Sequence, residues 1–173
     1  TKFNTDPQNC LSEWSKQDPR FSNPKFIAPI LMYTREITPF AVTQYIFSFH
    51  KRDARSEILY LMFSSLDLEF RSVDEAARNA LSKIAFYNNH KRTKLILKVF
   101  SKVYLIHNPY HQLTVKDVFN LTLGLIMYSL MQHKDVPIEE SAFQRMFGSI
   151  CVAEKYRVQL LASVHRDPFP LFF

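Results

Sequence analysis

Glycine occurs only twice in this 173-residue chain, at positions 124 and 148. Tight hairpins, phosphate-cradling loops and dinucleotide-binding turns need positive φ or a close backbone approach, and glycine supplies both. A chain so poor in glycine is expected to build helices joined by short polar corners, an all-α domain. It carries enough apolar bulk for that: 47% of its residues are hydrophobic, with 16 Phe and 8 Tyr. One domain with a sizeable core is the expectation at this length.

Local signals place the helices. Asn23 precedes Pro24 and Thr38 precedes Pro39, each pair an N-cap followed by a proline at the first helical position. Pro29 is expected to bend or shorten the first of these helices. KRDAR, residues 51–55, reads as a charged turn, with Ser56 capping the next helix. Ser72 and Glu75 form a Ser-x-x-Glu capping box before a stripe of Val73, Ala76, Ala77, Ala80, Leu81 and Ile84. Leu95, Ile96, Val99, Phe100, Val103 and Ile106 share one face of the following helix, which Asn108-Pro109 ends. Thr114 and Asp117 cap a stretch that is apolar almost all round, so 115–132 is expected to be the buried central helix. Pro137 opens a further helix through IEESAFQRMFGSI, and EKYRVQLLASV makes a last one. Residues 1–20 read as an N-terminal arm, 21–165 as a domain of seven to eight short helices, and 166–173 as a C-terminal tail.

Chemistry is sparse. Cys10 and Cys151 make neither a metal spacing nor a disulfide framework. His107 and His111 are separated by Pro109 and read as turn histidines, so no metal is expected. Asp74/Glu75 and Glu139/Glu140 fall in first helical turns and read as complements to the helix dipole. No apolar run is long enough to cross a membrane. The net charge of +6 suits an acidic partner. Its excess concentrates in two clusters, Lys51-Arg52-Arg55 and His90-Lys91-Arg92-Lys94, candidate contacts for phosphate or lipid headgroups. The aromatic residues fall on apolar stripes and read as core, and no dense basic stripe is present, so nucleic-acid binding is not expected.

The order of segments resembles the Sec-seven-type catalytic domain of ARF guanine-nucleotide exchange factors, as found in cytohesins. Asn23-Pro24-Lys25, Thr38-Pro39, EILYLMFSSLDLEF, Ala76-Ala77-Arg78 with Leu81, and Phe100, Lys102, Tyr104 and Asn108-Pro109 match that family's order. Ile126-Met127, Asp135-Val136-Pro137, Glu139-Glu140, Phe147 and Ser149-Ile150 continue the match, which spans about 21 to 150. The resemblance implies a right-handed helical superhelix whose groove takes an ARF-family GTPase, with no cofactor. In the family an elbow reading Leu-Pro-Gly-Glu supplies a glutamate that enters the nucleotide site. A carboxylate beside the β-phosphate and Mg²⁺ destabilises the bound nucleotide by like-charge repulsion and by competing for its cations.

By register, Asn89 occupies the glutamate's position here and Asn88 the glycine's. The second family motif, Asn-Thr-Asp-Leu-His, is reduced to Ser129, Met131 and a retained His133, and a segment normally following it is absent. Asn88, Asn89, Ser129, Met131 and His133 are therefore the candidate partner-binding groove, with no catalytic residue. The expectation is a degenerate, non-enzymatic exchange-factor domain that acts as a protein-binding scaffold or adaptor. It would be cytoplasmic and peripheral to Golgi, endosomal or plasma membrane. The alternatives are an active exchange factor using Asp117 or Asp135, or a basic helical module on anionic membrane.

Overall fold

The computed structural model describes residues 1–86, 89–133, 147 and 154–170, with the side chain of His133 excepted. The described residues form nine α-helices and no β-strand. They are α1 (Lys2–Thr5), α2 (Pro7–Gln17), α3 (Pro24–Tyr33), α4 (Pro39–Ser48), α5 (Arg52–Ser64), α6 (Val73–Leu81), α7 (His90–His107), α8 (Val115–His133) and α9 (Glu154–Arg166). A 3-10 turn, Pro19–Ser22, joins α2 to α3.

The capping signals act where the sequence places them. Asn23 Oδ1 accepts the Lys25 amide at 3.0 Å, and Thr38 Oγ1 accepts the Ala41 amide at 3.3 Å. Thr114 and Asp117 close a reciprocal box: Asp117 Oδ2 accepts the Thr114 amide at 2.8 Å, and Thr114 Oγ1 accepts the Asp117 amide at 3.2 Å. Each device satisfies amides that have no intrahelical partner.

Four local expectations are corrected. KRDAR is no turn: α5 begins at Arg52 with Lys51 as a cap lacking a side-chain bond, and Asp53 in its first turn complements the dipole. Pro29 does not shorten α3, which runs on through it to Tyr33. The carbonyl its missing N–H leaves unpaired belongs to exposed Lys25, in the first turn. Ser72 makes no side-chain cap hydrogen bond. Ile106 is 60% exposed, while Leu97 and Tyr104 are fully buried. Helix α7 lies between α5 and α8, so it buries two flanks and not one narrow stripe.

The core is a relay of packed helices: α3 on α5, α5 on α7, α7 on α8, with α6 and α9 against α8. Within α8, Val118, Leu121 and Leu125 are fully buried, as a central helix requires. The first 20 residues join this body. Phe3, Cys10 and Leu11 are buried in the common core, and Trp14 lies between Phe3 and Phe21 with ring centroids 5.9 and 5.3 Å away. The helix expected over IEESAFQRMFGSI, with Asp135, Glu139 and Glu140, and the junction after His133 lie outside the described residues. Of that stretch only Phe147 is described, and it is buried.

Gly124 sits inside α8 for a packing reason. A Cβ there would lie 2.1 Å from Cε2 of the Phe147 ring. Glycine is here because a ring approaches the helix backbone, with no turn involved. Among the described residues no helix is long and apolar enough to cross a membrane.

Candidate functional site: the elbow and the cationic cleft

The elbow between α6 and α7 is rooted in the core. Ile84, Ala85 and Phe86 are buried, and the Ala85 amide donates to Thr43 Oγ1 on α4 at 2.8 Å. Asn88 lies outside the described residues. Asn89 is exposed and is the N-cap of α7, its Oδ1 accepting the Arg92 amide at 3.2 Å. Its backbone carbonyl also accepts the Thr93 hydroxyl at 3.3 Å. The side chain at the position of interest is therefore neutral and engaged in starting a helix.

His90, Lys91, Arg92 and Lys94 do not form a loop. They are the opening turns of α7, whose first turn holds no acid. Cations there oppose the partial positive charge of a helix N-terminus.

The tertiary structure brings the two cationic clusters together. A cleft of about 390 Å³ is lined by Arg52 and Arg55 from α5 and by Lys91, Arg92 and Lys94 from α7. Phe47 of α4 and Leu95 complete it, and among the described residues no carboxylate lines it. Two of the three guanidiniums flank one ring: Arg92 lies 4.9 Å and Arg55 5.6 Å from the Phe47 centroid. Arg55 Nε also donates to the Phe49 carbonyl at 2.6 Å, which fixes the plane of its fork. Lys51 and His90 are exposed beside the cleft and do not line it. A second cleft of about 450 Å³ shares Arg52 and Leu95 and runs on between α5 and α7 past Lys98 and Lys102. There Asp53 and Glu57 balance the charge.

The remaining groove candidates lie on α8. Ser129 is only 2% exposed, and its Oγ accepts the amide of Phe169 at 3.1 Å. The segment after α9 thus packs on the central helix, with Phe169 buried and the Arg78 guanidinium 5.5 Å from its ring. Met131 is half-buried, and His133 closes the helix. Asp117, the alternative acid, is held in its capping box with Thr114. His111 stacks on Tyr104 with 5.8 Å between centroids and lies 3.2 Å from its hydroxyl. No cluster of metal-ligating side chains occurs among the described residues.

Two polar networks escaped sequence reasoning. Asp74 is buried and accepts from Arg78 at 3.0 Å and from the Ser163 hydroxyl at 2.5 Å. Burial pushes this carboxyl up, but the Ser163 and Ser72 hydroxyls and the Arg78 charge outweigh it and hold it below the ordinary value. The four-residue spacing of Asp74 and Arg78 was the available signal. Asn108, fully buried, donates to the Leu68 and Tyr104 carbonyls at 2.9 Å and accepts the Phe70 amide at 3.0 Å. It thereby holds Phe70 at φ 57, with its ring 78% exposed and stacked on Tyr110. Phe70 is thus an exception to the reading of every aromatic as core.

Residues 1–167 match the family model of the Sec7 domain. The chain belongs to the Sec7 domain family, whose members are exchange factors for ARF GTPases. Its fold is similar to that of the Sec7p catalytic domain, with a TM-score of 0.82 and 17% identity over 95% of this chain and 93% of that one. It is similar to a Sec7 domain solved with ARF1-GDP and brefeldin A, with a TM-score of 0.80 and 16% identity over 97% and 88%. A chimera of the Legionella pneumophila RalF Sec7 domain with a Rickettsia prowazekii RalF capping domain gives a TM-score of 0.76 at 20% identity. This chain is covered to 99% in that match and the chimera to 52%. No curated protein sequence matches the chain.

Proposed function

We propose that this Sec7 domain has lost ARF nucleotide exchange and serves as a protein-binding scaffold that still engages an ARF-family GTPase or another protein. The observation that carries this reading is Asn89. By the register of the family resemblance it stands where the exchange glutamate stands, and here it is a neutral N-cap followed by a cationic turn. A neutral amide cannot repel a β-phosphate, and Lys91, Arg92 and Lys94 attract it. The structure of a relative with ARF1-GDP supports the GTPase as the class of partner. The reading includes a cytoplasmic site of action at the surface of Golgi, endosomal or plasma membrane.

The test is release of a fluorescent nucleotide from several ARF-family GTPases in the presence of micromolar domain. We expect no acceleration. We also expect none from Asn89→Glu alone, for three reasons. Glutamate replaces a good N-cap, at a cost of about 0.5–2 kcal/mol. The cations of α7 pair with the new carboxylate. Ser129 and Met131 lack the polar groups of the second motif, each worth about 1–3 kcal/mol when buried against a partner. Exchange by the wild-type domain overturns the reading. Exchange by the single variant without Ser129→Asn and Met131→Asp would instead show that Asn89 alone accounts for the loss and that the groove still docks an ARF-family GTPase.

A further inference from the structure

The cationic cleft is a different matter from the lost exchange chemistry and does not rest on it. Its five cations come from helices that begin at Arg52 and His90, so the fold itself assembles them. Like charges gathered in one cleft repel one another, and those on α7 also oppose its dipole. An idle solvated surface would leave such side chains splayed. Here two are held against one phenylalanine ring, and one is tied by its Nε to a backbone carbonyl. Ordered guanidinium forks match the oxygens of phosphate groups, which they bind in bidentate fashion. The cleft volume of about 390 Å³ falls in the range of small-molecule sites, roughly 300–1,000 Å³. A lone phosphate would not fill it.

We propose that this cleft binds a small polyphosphorylated anion, in which two or more phosphate groups are held close on one scaffold. The headgroup of a phosphoinositide lipid and a soluble inositol polyphosphate share that chemistry. Arg55 and Arg92 grip one phosphate over Phe47, while Arg52, Lys91 and Lys94 close around the next.

The probes are inositol hexakisphosphate, by calorimetric titration of the 173-residue chain, and phosphatidylcholine vesicles, by cosedimentation. The vesicles carry either phosphatidylinositol bisphosphate or phosphatidylserine at matched total charge. We expect saturable one-to-one binding at physiological salt, weakening as salt rises. The triple variant Arg52→Glu, Lys91→Glu, Lys94→Glu should weaken binding by roughly a hundredfold or more, from about fivefold for each cation removed. The control Lys16→Glu, Lys25→Glu, Lys155→Glu changes net charge equally on exposed residues elsewhere and should retain binding. Lys94→Gln alone, a surface change that leaves the fold intact, should weaken binding about fivefold. Preference for the bisphosphate vesicle over the serine vesicle assigns the lipid as source, and binding of the soluble probe alone assigns a free polyphosphate. Both results support the cleft. Equal losses in the two triple variants, vesicle binding that follows total charge alone, or no binding of either probe would overturn it.

Discussion

Asp74 is the residue whose environment says most about how this chain is held together. Its carboxylate is buried between α6 and α9, where Arg78 and Ser163 meet it. Arg78 also donates to the Asp167 carbonyl at 2.7 Å, so one ion pair fastens the segment after α9 to the body. Removing one partner leaves an uncompensated buried charge, and Asp74→Ala is expected to cost about 3–5 kcal/mol in denaturant unfolding. The sign of the pH dependence follows from the lowered carboxyl. Stability from a depressed carboxylate is fully present above the unfolded value, about 3.9 for aspartate. It is lost as pH falls from there through the folded value. Wild-type stability should therefore drop in that acid window more steeply than that of Asp74→Asn, as urea midpoints at several acid pH values would show. An acid-limb slope equal in the two proteins would mean that Asp74 does not stay ionised. In sequence, Asp74 and Glu75 looked alike as first-turn acids. Only α9, some 80 residues on, decides which of them is buried, and no local pattern carries that information.

Most elements were legible from local signals. The caps at Asn23, Thr38 and Thr114 depend on residues within three positions, and each bonds as its spacing implies. The start of α5 was misplaced because Ser56 offers a cap and KRDAR offers charge, while arginine and alanine also propagate a helix well. The start of α7 has a testable cost. A carboxylate in its first turn would complement both the dipole and the neighbouring arginines, so Lys91→Glu should raise stability by about 0.3–1 kcal/mol. The same change should weaken anion binding, which would make the basic turn a feature kept at the expense of stability. A thermal shift that moves downward would contradict this. Gly124 gives the opposite case. In an ordinary helix interior alanine is favoured over glycine by about 1 kcal/mol. Here the added methyl meets the buried Phe147 ring, and overpacking typically costs about 1–3 kcal/mol. Gly124→Ala is expected to destabilise on balance, as its denaturation midpoint would report.

At the scale of the molecule, Phe3, Cys10 and Leu11 pack in the common core, and Phe169 after α9 packs on the central helix. Phe3 is 1% exposed and touches the rings of Trp14 and Tyr45. Phe3→Ala should cost about 3–5 kcal/mol in equilibrium unfolding, as a core truncation does. A cost near zero would show residues 1–20 to be a separable arm. The scarcity of glycine, the caps and the apolar stripes were enough for an all-helical domain, because each acts over a few residues and helix formation is a short-range decision. The order of short motifs was enough for the family, because the fold constrains many positions a little. What those signals could not hold is proximity. The two cationic clusters begin 39 positions apart, at Lys51 and His90, and each by itself is an ordinary surface. They become one cleft only because α5 packs on α7 and Phe47 of α4 stands between their arginines. Ser129 was assigned to a groove by register, and packing sets it against Phe169. Sequence determined most of the helical segments and most of their apolar faces. Tertiary structure alone decided which charges meet, because electrostatic energy depends on distance through space and not along the chain.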